Sequence, residues 1–150
     1  MGTTRVLLAE DEALIALSLA DLLEAEGHEV ALAPDGEGAL DAARRLGGAL
    51  DVLVTDLNMP RMGGEDLIRA LRAERPGLPV VVVTGSAPFG GAEELRRRAG
   101  GHGLLQLLLK PADCGELAAA LRRAVAADAA PSATGRTAAG RATLRMAVAG

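Results

Sequence analysis

The sequence contains almost no aromatic residues. None of its 150 residues is Trp or Tyr, and Phe89 is the single Phe. Cysteine is equally scarce, with Cys114 alone, so an internal disulfide is excluded and we expect a reducing cytoplasm. Hydrophobic residues nevertheless make up 49% of the chain. One domain of ordinary size can therefore form, with a core built from aliphatic side chains.

The sequence also lacks long apolar runs and an excess of positive charge. No run approaches the roughly 20 residues that span a bilayer, and acids follow residues 6–9 too soon for a secretory signal peptide. The formal net charge of −4 disfavours nucleic acid as a partner. We therefore expect a cytoplasmic protein with neither a membrane nor a nucleic-acid partner.

Short apolar segments alternate with amphipathic segments five times along the chain. Continuous apolar runs of this kind are typical of parallel strands that are covered on both faces. The last segment precedes Lys110-Pro111, and the residue before a proline avoids helical geometry. The predicted strands are residues 6–9, 30–33, 52–54, 80–83 and 104–109.

The amphipathic segments predict five helices. The first ends at Gly27, the second covers residues 38–46 and the fourth covers residues 91–99. The fifth begins at Asp113, which forms a capping pattern with Glu116 three residues later. The fourth has little apolar surface, so we expect charge pairs to hold it. The alternation predicts a doubly wound parallel α/β sheet with right-handed crossovers and helices on both faces.

The composition changes beyond the last helix. From residue 129 onward the chain has no acidic residue and is rich in Ala, Gly and Thr. Its three arginines are too sparse for a nucleic-acid-binding arm. We predict one folded domain over residues 1–127 and a flexible Ala/Gly/Arg tail over residues 128–150.

Polar residues follow four of the predicted strands, at the edge where an open parallel sheet binds ligands. Three of these residues are acids, which repel one another unless a cation lies between them. Mg²⁺ prefers carboxylates together with water and phosphate oxygens. The residues that we expect to meet at this edge are Glu10, Asp11, Asp56, Thr84 and Lys110.

These residue types suit phosphoryl transfer. Asp56 can be the nucleophile and form an acyl phosphate. Lys110 supplies a positive charge for the phosphoryl oxygens, the Thr84 hydroxyl donates a hydrogen bond to one of them, and Gly85 leaves room for the group. Phosphoryl transfer depends mostly on positioning and charge stabilisation, and this set of residues offers both.

The ordered combination resembles the response-regulator receiver family and is similar to the bacterial chemotaxis receiver. The matching stretches are residues 6–12, residues 51–60 with Gly63-Gly64, residues 79–85, and Lys110-Pro111. The resemblance covers about residues 5–127. It implies a flavodoxin-like (βα)₅ fold with strand order 2-1-3-4-5, and Asp56 as the phosphoacceptor.

The resemblance also implies the roles of the other residues. Mg²⁺, or Mn²⁺ in its place, would be held by Asp11, Asp56 and the main-chain carbonyl of Asn58, with Glu10 acting through water. Thr84, Gly85 and Lys110 would bind the phosphoryl group. The Lys110–Pro111 peptide bond would be cis, which is essentially a property of bonds to proline.

One position departs from the family pattern. Members of the family usually have Tyr or Phe three residues before the lysine, as an aromatic switch that moves with the threonine. This sequence has Leu107 there. The sequence therefore lacks the residue on which the family's usual route from the phosphoryl group to the output surface depends, and movement of the fourth helix is the alternative route.

The function expected from the resemblance is a stand-alone receiver, supported by the start at Met1, in a two-component or phosphorelay pathway. A histidine kinase or a histidine-containing phosphotransfer protein would be the donor, and an unknown downstream protein the target. The protein would be a monomer or a phosphorylation-linked homodimer. It would be no turnover enzyme, since it would catalyse only its own phosphorylation and dephosphorylation. Asn58 and Ser86 would tune the lifetime of the phosphoryl group.

Other functions fit these residues less well. Phosphatases and mutases of the haloacid dehalogenase type carry a second Asp two residues after the nucleophile, where this chain has Asn58. A phosphate-independent binding module is supported only by the missing aromatic, and a receiver cut from a hybrid kinase is a further alternative. His28, His102 and Cys114 have no partners at metal-ligand spacing. No Gly-Lys-Ser/Thr follows residues 36–38, which argues against a phosphate-binding loop.

Overall fold

The computed structural model describes residues 3–129 and forms a five-stranded parallel sheet with helices on both faces. The sheet order is β2-β1-β3-β4-β5, so the predicted doubly wound, flavodoxin-like fold is confirmed. The strands are β1 (Arg5–Ala9), β2 (Glu29–Ala33), β3 (Val52–Thr55), β4 (Val80–Thr84) and β5 (Leu105–Leu109). The α-helices are α1 (Ala13–Ala25), α2 (Gly36–Leu46), α3 (Gly64–Glu74), α4 (Gly91–Ala99) and α5 (Cys114–Ala129).

Side-chain caps mark the starts of α2 and α5. The predicted start of α2 at residue 38 is wrong, because the Asp35 side chain accepts a hydrogen bond from Gly38 N at 2.8 Å and α2 begins at Gly36. At α5 the predicted capping pattern is present, since Asp113 Oδ1 accepts from Glu116 N at 2.8 Å. The helix α5 extends to Ala129. The rest of the predicted tail, residues 130–150, lies outside the described residues.

The core has two parts, one on each face of the sheet. Alternate residues of β1 point to opposite faces: Leu7 packs into the part covered by α2, α3 and α4, whereas Val6 and Leu8 pack into the part covered by α1 and α5. Burying one Val or Leu side chain contributes about 1.5–3 kcal/mol. This two-sided burial explains why the strands are continuously apolar in sequence. None of the helices in residues 3–129 is long and apolar enough to cross a membrane.

A buried arginine joins two connections at the amino-terminal edge of the sheet. Arg72 of α3 is only 3% exposed, and burial lowers the pKa of its guanidinium. Charged donors buried in this way need several hydrogen bonds to offset the loss of water. The main-chain carbonyls that accept hydrogen bonds from Arg72 are those of Leu78, Gly100, Gly103 and Leu104.

The helix α4 is attached by one buried leucine and by arginine contacts. Leu95 is fully buried. Arg98 donates from Nε to Glu65 of α3 at 3.1 Å and from Nη1 to Phe89 O at 3.3 Å. Arg96 donates to Leu105 O at 3.1 Å. Within α4, the predicted i,i+4 pair of Glu94 and Arg98 is present at 3.7 Å, and Arg98 in addition connects α4 to the first turn of α3.

The contact between α3 and α4 predicts a pH-dependent contribution to stability. Hydrogen bonding to Arg98 holds the pKa of Glu65 below its ordinary value of 4.5. The contact therefore stabilises the fold above pH 4.5, and this contribution is lost as the pH falls through the lower, folded-state pKa. We expect Glu65→Gln to lower the free energy of unfolding by about 0.5–1 kcal/mol at pH 7, and by less near pH 3.

Urea unfolding followed by circular dichroism measures this difference. The control is the same substitution in an Arg98→Gln background, where Glu65 has lost its main partner and its replacement should cost less at pH 7. If the free energy of unfolding differed between wild type and Glu65→Gln by the same amount at pH 7 and near pH 3, the stabilising role of ionised Glu65 would be contradicted.

Candidate functional site

The site lies at the carboxyl edge of the sheet, where the ends of neighbouring strands are level. Ala9 of β1 is paired with Thr55 of β3, and Thr84 of β4 is paired with Leu109 of β5. The residues that follow these positions are therefore neighbours in space. They are Glu10 and Asp11 after β1, Asp56 after β3, Gly85 after β4 and Lys110 after β5.

Three carboxylates meet at this edge. Glu10, Asp11 and Asp56 each offer an oxygen, and these oxygens lie within 4.8 Å of one another. Glu10 and Asp56 are buried, whereas Asp11 is exposed to solvent. A set of oxygen donors that is partly open to water fits Mg²⁺, which keeps water ligands beside one or two carboxylates. The burial of two like charges is unfavourable unless a cation compensates them.

Lys110 supplies a positive charge to two of these acids. Its Nζ lies 2.8 Å from Asp56 Oδ2 and 2.9 Å from Glu10 Oε1. Glu10 Oε1 is buried, and the ammonium group of Lys110 is the positive charge beside it. Burial alone would lower the pKa of Lys110, but hydrogen bonds to Asp56 and Glu10 outweigh it and raise that pKa. The ammonium group is therefore charged at neutral pH.

The carboxylate of Asp56 is held by main-chain donors as well as by Lys110. Its Oδ1 accepts a short hydrogen bond from Leu57 N at 2.6 Å and a longer one from Asn58 N at 3.3 Å. The Thr55 hydroxyl donates to Asp56 O at 2.7 Å. Both the side chain and the main chain of Asp56 are thus fixed before any ligand binds. Asn58 itself is exposed at the rim.

The end of β4 lies between β3 and β5, the strands that precede Asp56 and Lys110. Thr84 is fully buried, and its Oγ1 accepts a hydrogen bond from Ser86 N at 3.5 Å. A methyl group added at Gly85 would meet no atom within 4 Å, so the space beside this residue is open. Ser86 is exposed. The peptide bond between Lys110 and Pro111 is cis.

The position of the missing aromatic lies within the sheet. Leu107 is paired with Val82 of β4 and packs, partly buried, against the part of the core beneath α2, α3 and α4. An aliphatic side chain there fills a place next to the core. It offers no hydroxyl and no ring that could move between a buried and an exposed position.

Neither the histidines nor Cys114 belongs to the cluster of Glu10, Asp11 and Asp56. His28 precedes β2 and His102 precedes β5, at the amino-terminal edge of the sheet. Burial lowers the pKa of His28, which favours its neutral form. Cys114 is exposed at the first turn of α5. Residues 36–38 are the first turn of α2, so they form no phosphate-binding loop.

Two contacts near the site were not predicted from the sequence. Gly64 begins α3 directly beneath the site, where an added Cβ would lie 2.0 Å from Asp56 O. Asp35 is buried and is paired with Arg61, in the connection that follows Asp56. The Asp-Gly dipeptide at residues 35 and 36 was the available signal, since Asp is a favoured helix cap. The partnership with Arg61 had no local signal.

Comparison with known proteins shows the same fold and the same kind of domain. The sequence model of the response regulator receiver domain matches residues 6–122. A response regulator receiver protein of Anaeromyxobacter is 39% identical over 107 residues, which are 71% of this chain and 42% of that protein. This chain thus spans less than half the length of that curated relative.

Solved structures agree with this match. The receiver domain protein of Clostridium thermocellum has a TM-score of 0.74 at 27% identity, over 81% of this chain and 94% of that one. The chemotaxis protein CheY4 of Vibrio cholerae has a TM-score of 0.72 at 27% identity, over 81% of this chain and 98% of that one.

The close approach at Gly64 predicts a sharp difference between two glycines of the site. Gly64→Ala places a methyl group against the main chain of Asp56, which cannot move aside, so we expect a loss of about 2–4 kcal/mol in the free energy of unfolding. Gly85→Ala meets open space and should stay within about 0.5 kcal/mol of wild type. Urea unfolding followed by circular dichroism distinguishes them, and equal losses would show that the contact at Gly64 is not tight.

Proposed function

The chain belongs to the response regulator receiver domain family, and from this premise we propose that Asp56 accepts a phosphoryl group from a phosphohistidine. The donor would be a histidine kinase or a histidine-containing phosphotransfer protein in the cytoplasm. The single observation that carries the proposal is the contact of Lys110 Nζ with Asp56 Oδ2 at 2.8 Å, within the cluster of Glu10, Asp11 and Asp56. A nucleophile, a cation-binding set and a fixed positive charge are thus next to one another.

The proposed step is a direct transfer between two side chains. An oxygen of the Asp56 carboxylate forms a bond to phosphorus while the bond from phosphorus to the histidine nitrogen breaks. The nitrogen keeps the electron pair and takes up a proton. Bound Mg²⁺, held by Asp11, Asp56 and the Asn58 carbonyl with Glu10 behind them, would balance the negative charge of the acids and the phosphoryl oxygens.

The other residues of the site act on the phosphoryl oxygens. Lys110 is already charged and close to Asp56, so it can move onto a phosphoryl oxygen without a change in protonation. The Thr84 hydroxyl, at the end of β4, can donate to another oxygen. The open space at Gly85 supports entry of the group. Asn58 and Ser86, both exposed at the rim, would control access of water and so the lifetime of the phosphoryl group.

We propose a signalling role, with self-catalysed phosphorylation and dephosphorylation, over a turnover enzyme. A hydrolase of the haloacid dehalogenase type needs a carboxylic acid where this chain has the amide of Asn58, which cannot give up a proton to a leaving group. We propose further that the protein is stand-alone and acts through contacts with a downstream protein. It would do so as a monomer or as a phosphorylation-linked homodimer.

Incubation with acetyl phosphate and Mg²⁺ tests the acceptor. We expect the wild-type chain to gain the mass of one phosphoryl group in intact mass spectrometry, and to lose this gain when EDTA removes the metal. Asp56→Asn should gain nothing, because the amide is a poor nucleophile. Asp66→Asn, an exposed acid of α3, is the matched control and should behave as wild type. An adduct on Asp56→Asn would place the acceptor elsewhere.

The route to an output surface is a second part of the proposal. Without an aromatic residue at position 107, we infer that phosphorylation is read through α4. Two contacts support this: Gly64 of α3 lies against Asp56, and Glu65 next to it binds Arg98 of α4. A small shift at Asp56 would thus reach α4 through the first turn of α3.

Hydrogen exchange across residues 91–109 measures this response. We expect the amides of α4 and β5 to change their exchange rates when beryllofluoride and Mg²⁺ are added as a phosphoryl mimic, because α4 is held by few buried contacts. Glu65→Gln should weaken the response of α4 while the mimic still binds. Identical exchange with and without the mimic in the wild-type chain would remove this route.

A further inference from the structure

The N-terminus of α2 is attached to the connection between β3 and α3, residues 56–63, which we call the β3–α3 loop. Arg61 of this loop donates from Nε to Asp35 Oδ2 at 2.9 Å, and its Nη2 contacts the same oxygen. The Asp35 side chain is 6% exposed, whereas that of Arg61 is 59% exposed. The pair therefore joins a buried acid at the start of α2 to the tip of a loop that carries proposed ligands of Mg²⁺.

Main-chain contacts hold the same loop at two more points. Gly36 N of α2 donates to Met62 O at 3.0 Å, and Gly64 N donates to Leu57 O at 2.9 Å. A Cβ at Gly36 would lie 2.4 Å from Met62 O, so α2 and the loop touch without space for a side chain. The loop position is thus defined by α2 as well as by its own strand.

The backbone of Arg61 is unusual. Its φ angle of 66° lies in the left-handed region, which costs free energy for any residue that has a Cβ. Glycine would adopt this conformation more easily. The chain instead has an arginine there, and the side chain uses the conformation to reach Asp35.

Asn58 is held less closely by Asp56 than the residue before it. Its main-chain N is 3.3 Å from Asp56 Oδ1, whereas that of Leu57 is 2.6 Å away. The side chain of Asn58 is exposed. The hydrogen bonds that Asp56 Oδ1 accepts from its own loop therefore lengthen from Leu57 to Asn58. The next side chain of the loop that is fixed by a hydrogen bond is that of Arg61, through Asp35.

We propose that Arg61 is a positioning residue, whose ion pair with Asp35 keeps the Asn58 carbonyl in place for Mg²⁺ beside Glu10, Asp11 and Asp56. Asp35 serves two partners at once, because its Oδ1 caps α2 through Gly38 N while its Oδ2 holds Arg61. The inference rests on the proposed function, since it concerns the metal site of the same acceptor.

The experiment compares Mg²⁺ affinity with stability in the full chain. Calorimetric titration with MgCl₂ gives the Kd, and urea unfolding without Mg²⁺ gives the stability. Arg61→Gly removes the ion pair and also relieves the left-handed conformation, so we expect roughly tenfold weaker Mg²⁺ binding without a loss of stability. Arg61→Lys keeps the charge and should recover part of the affinity.

Two further variants make the test specific. Asp35→Asn keeps a helix cap but removes the charge that holds Arg61, so it should also weaken Mg²⁺ binding. Arg44→Gln is the matched control, because Arg44 is similarly exposed, at 56%, and is paired with Glu74 far from the loop. Its Kd should equal that of wild type.

The outcomes separate this inference from the proposed function. Unchanged Kd values in Arg61→Gly and Asp35→Asn, with normal Mg²⁺ binding and phosphorylation in wild type, would overturn the positioning role alone. Weaker binding that follows a loss of stability in Arg61→Gly, without recovery by Arg61→Lys, would also overturn it, since the role would then be only structural. A wild-type chain that binds no Mg²⁺ would remove the proposed function, and this inference with it.

Discussion

Two carboxylates buried at the end of a parallel sheet repel each other, and the structure around them depends on how that repulsion is balanced. Glu10 and Asp56 reach the same edge because β1 and β3 are neighbours in register. Lys110 arrives from β5, on the far side of β4, and its ammonium group contacts both acids. The strand order 2-1-3-4-5 is what makes this balance possible. The lysine compensates part of the charge of the two acids, so the proposed metal ion and phosphoryl group would enter a site whose charges are already arranged.

Much of this could be predicted because it depends on local pattern. Strands buried on both faces are continuously apolar, and the residue after each strand must lie at the carboxyl edge. The meeting of Glu10, Asp56 and Lys110 follows from these two rules and the order of the residues in the chain. The contacts of Arg72 and Arg61 could not be predicted in this way. Each joins residues that are far apart in sequence, and an arginine on a predicted helix or in a loop looks the same whether it is solvated or buried.

The helix α4 is held differently from the helices on the opposite face of the sheet. On the face of α1 and α5, aliphatic side chains provide most of the contacts. On the other face, α4 adds Leu95 and Ala99 to the core and is otherwise attached by arginines. Ionic contacts near the surface weaken as salt increases, whereas buried aliphatic contacts do not. The attachment of α4, the helix proposed to carry the output, is therefore expected to weaken as the salt concentration rises.

Asp35 both caps α2 and binds Arg61, which has a consequence for the face of the sheet opposite to α5. Free-energy coupling between two sites is reciprocal, so if the start of α2 favours metal binding, as proposed, metal binding would in turn favour that helix start. The first turn of α2 would then be more stable when the metal is bound than when it is absent. Metal binding at the site would then change the stability of α2, next to the edge strand β2. The domain would have a second surface, separate from α4, whose stability reports whether the site is occupied.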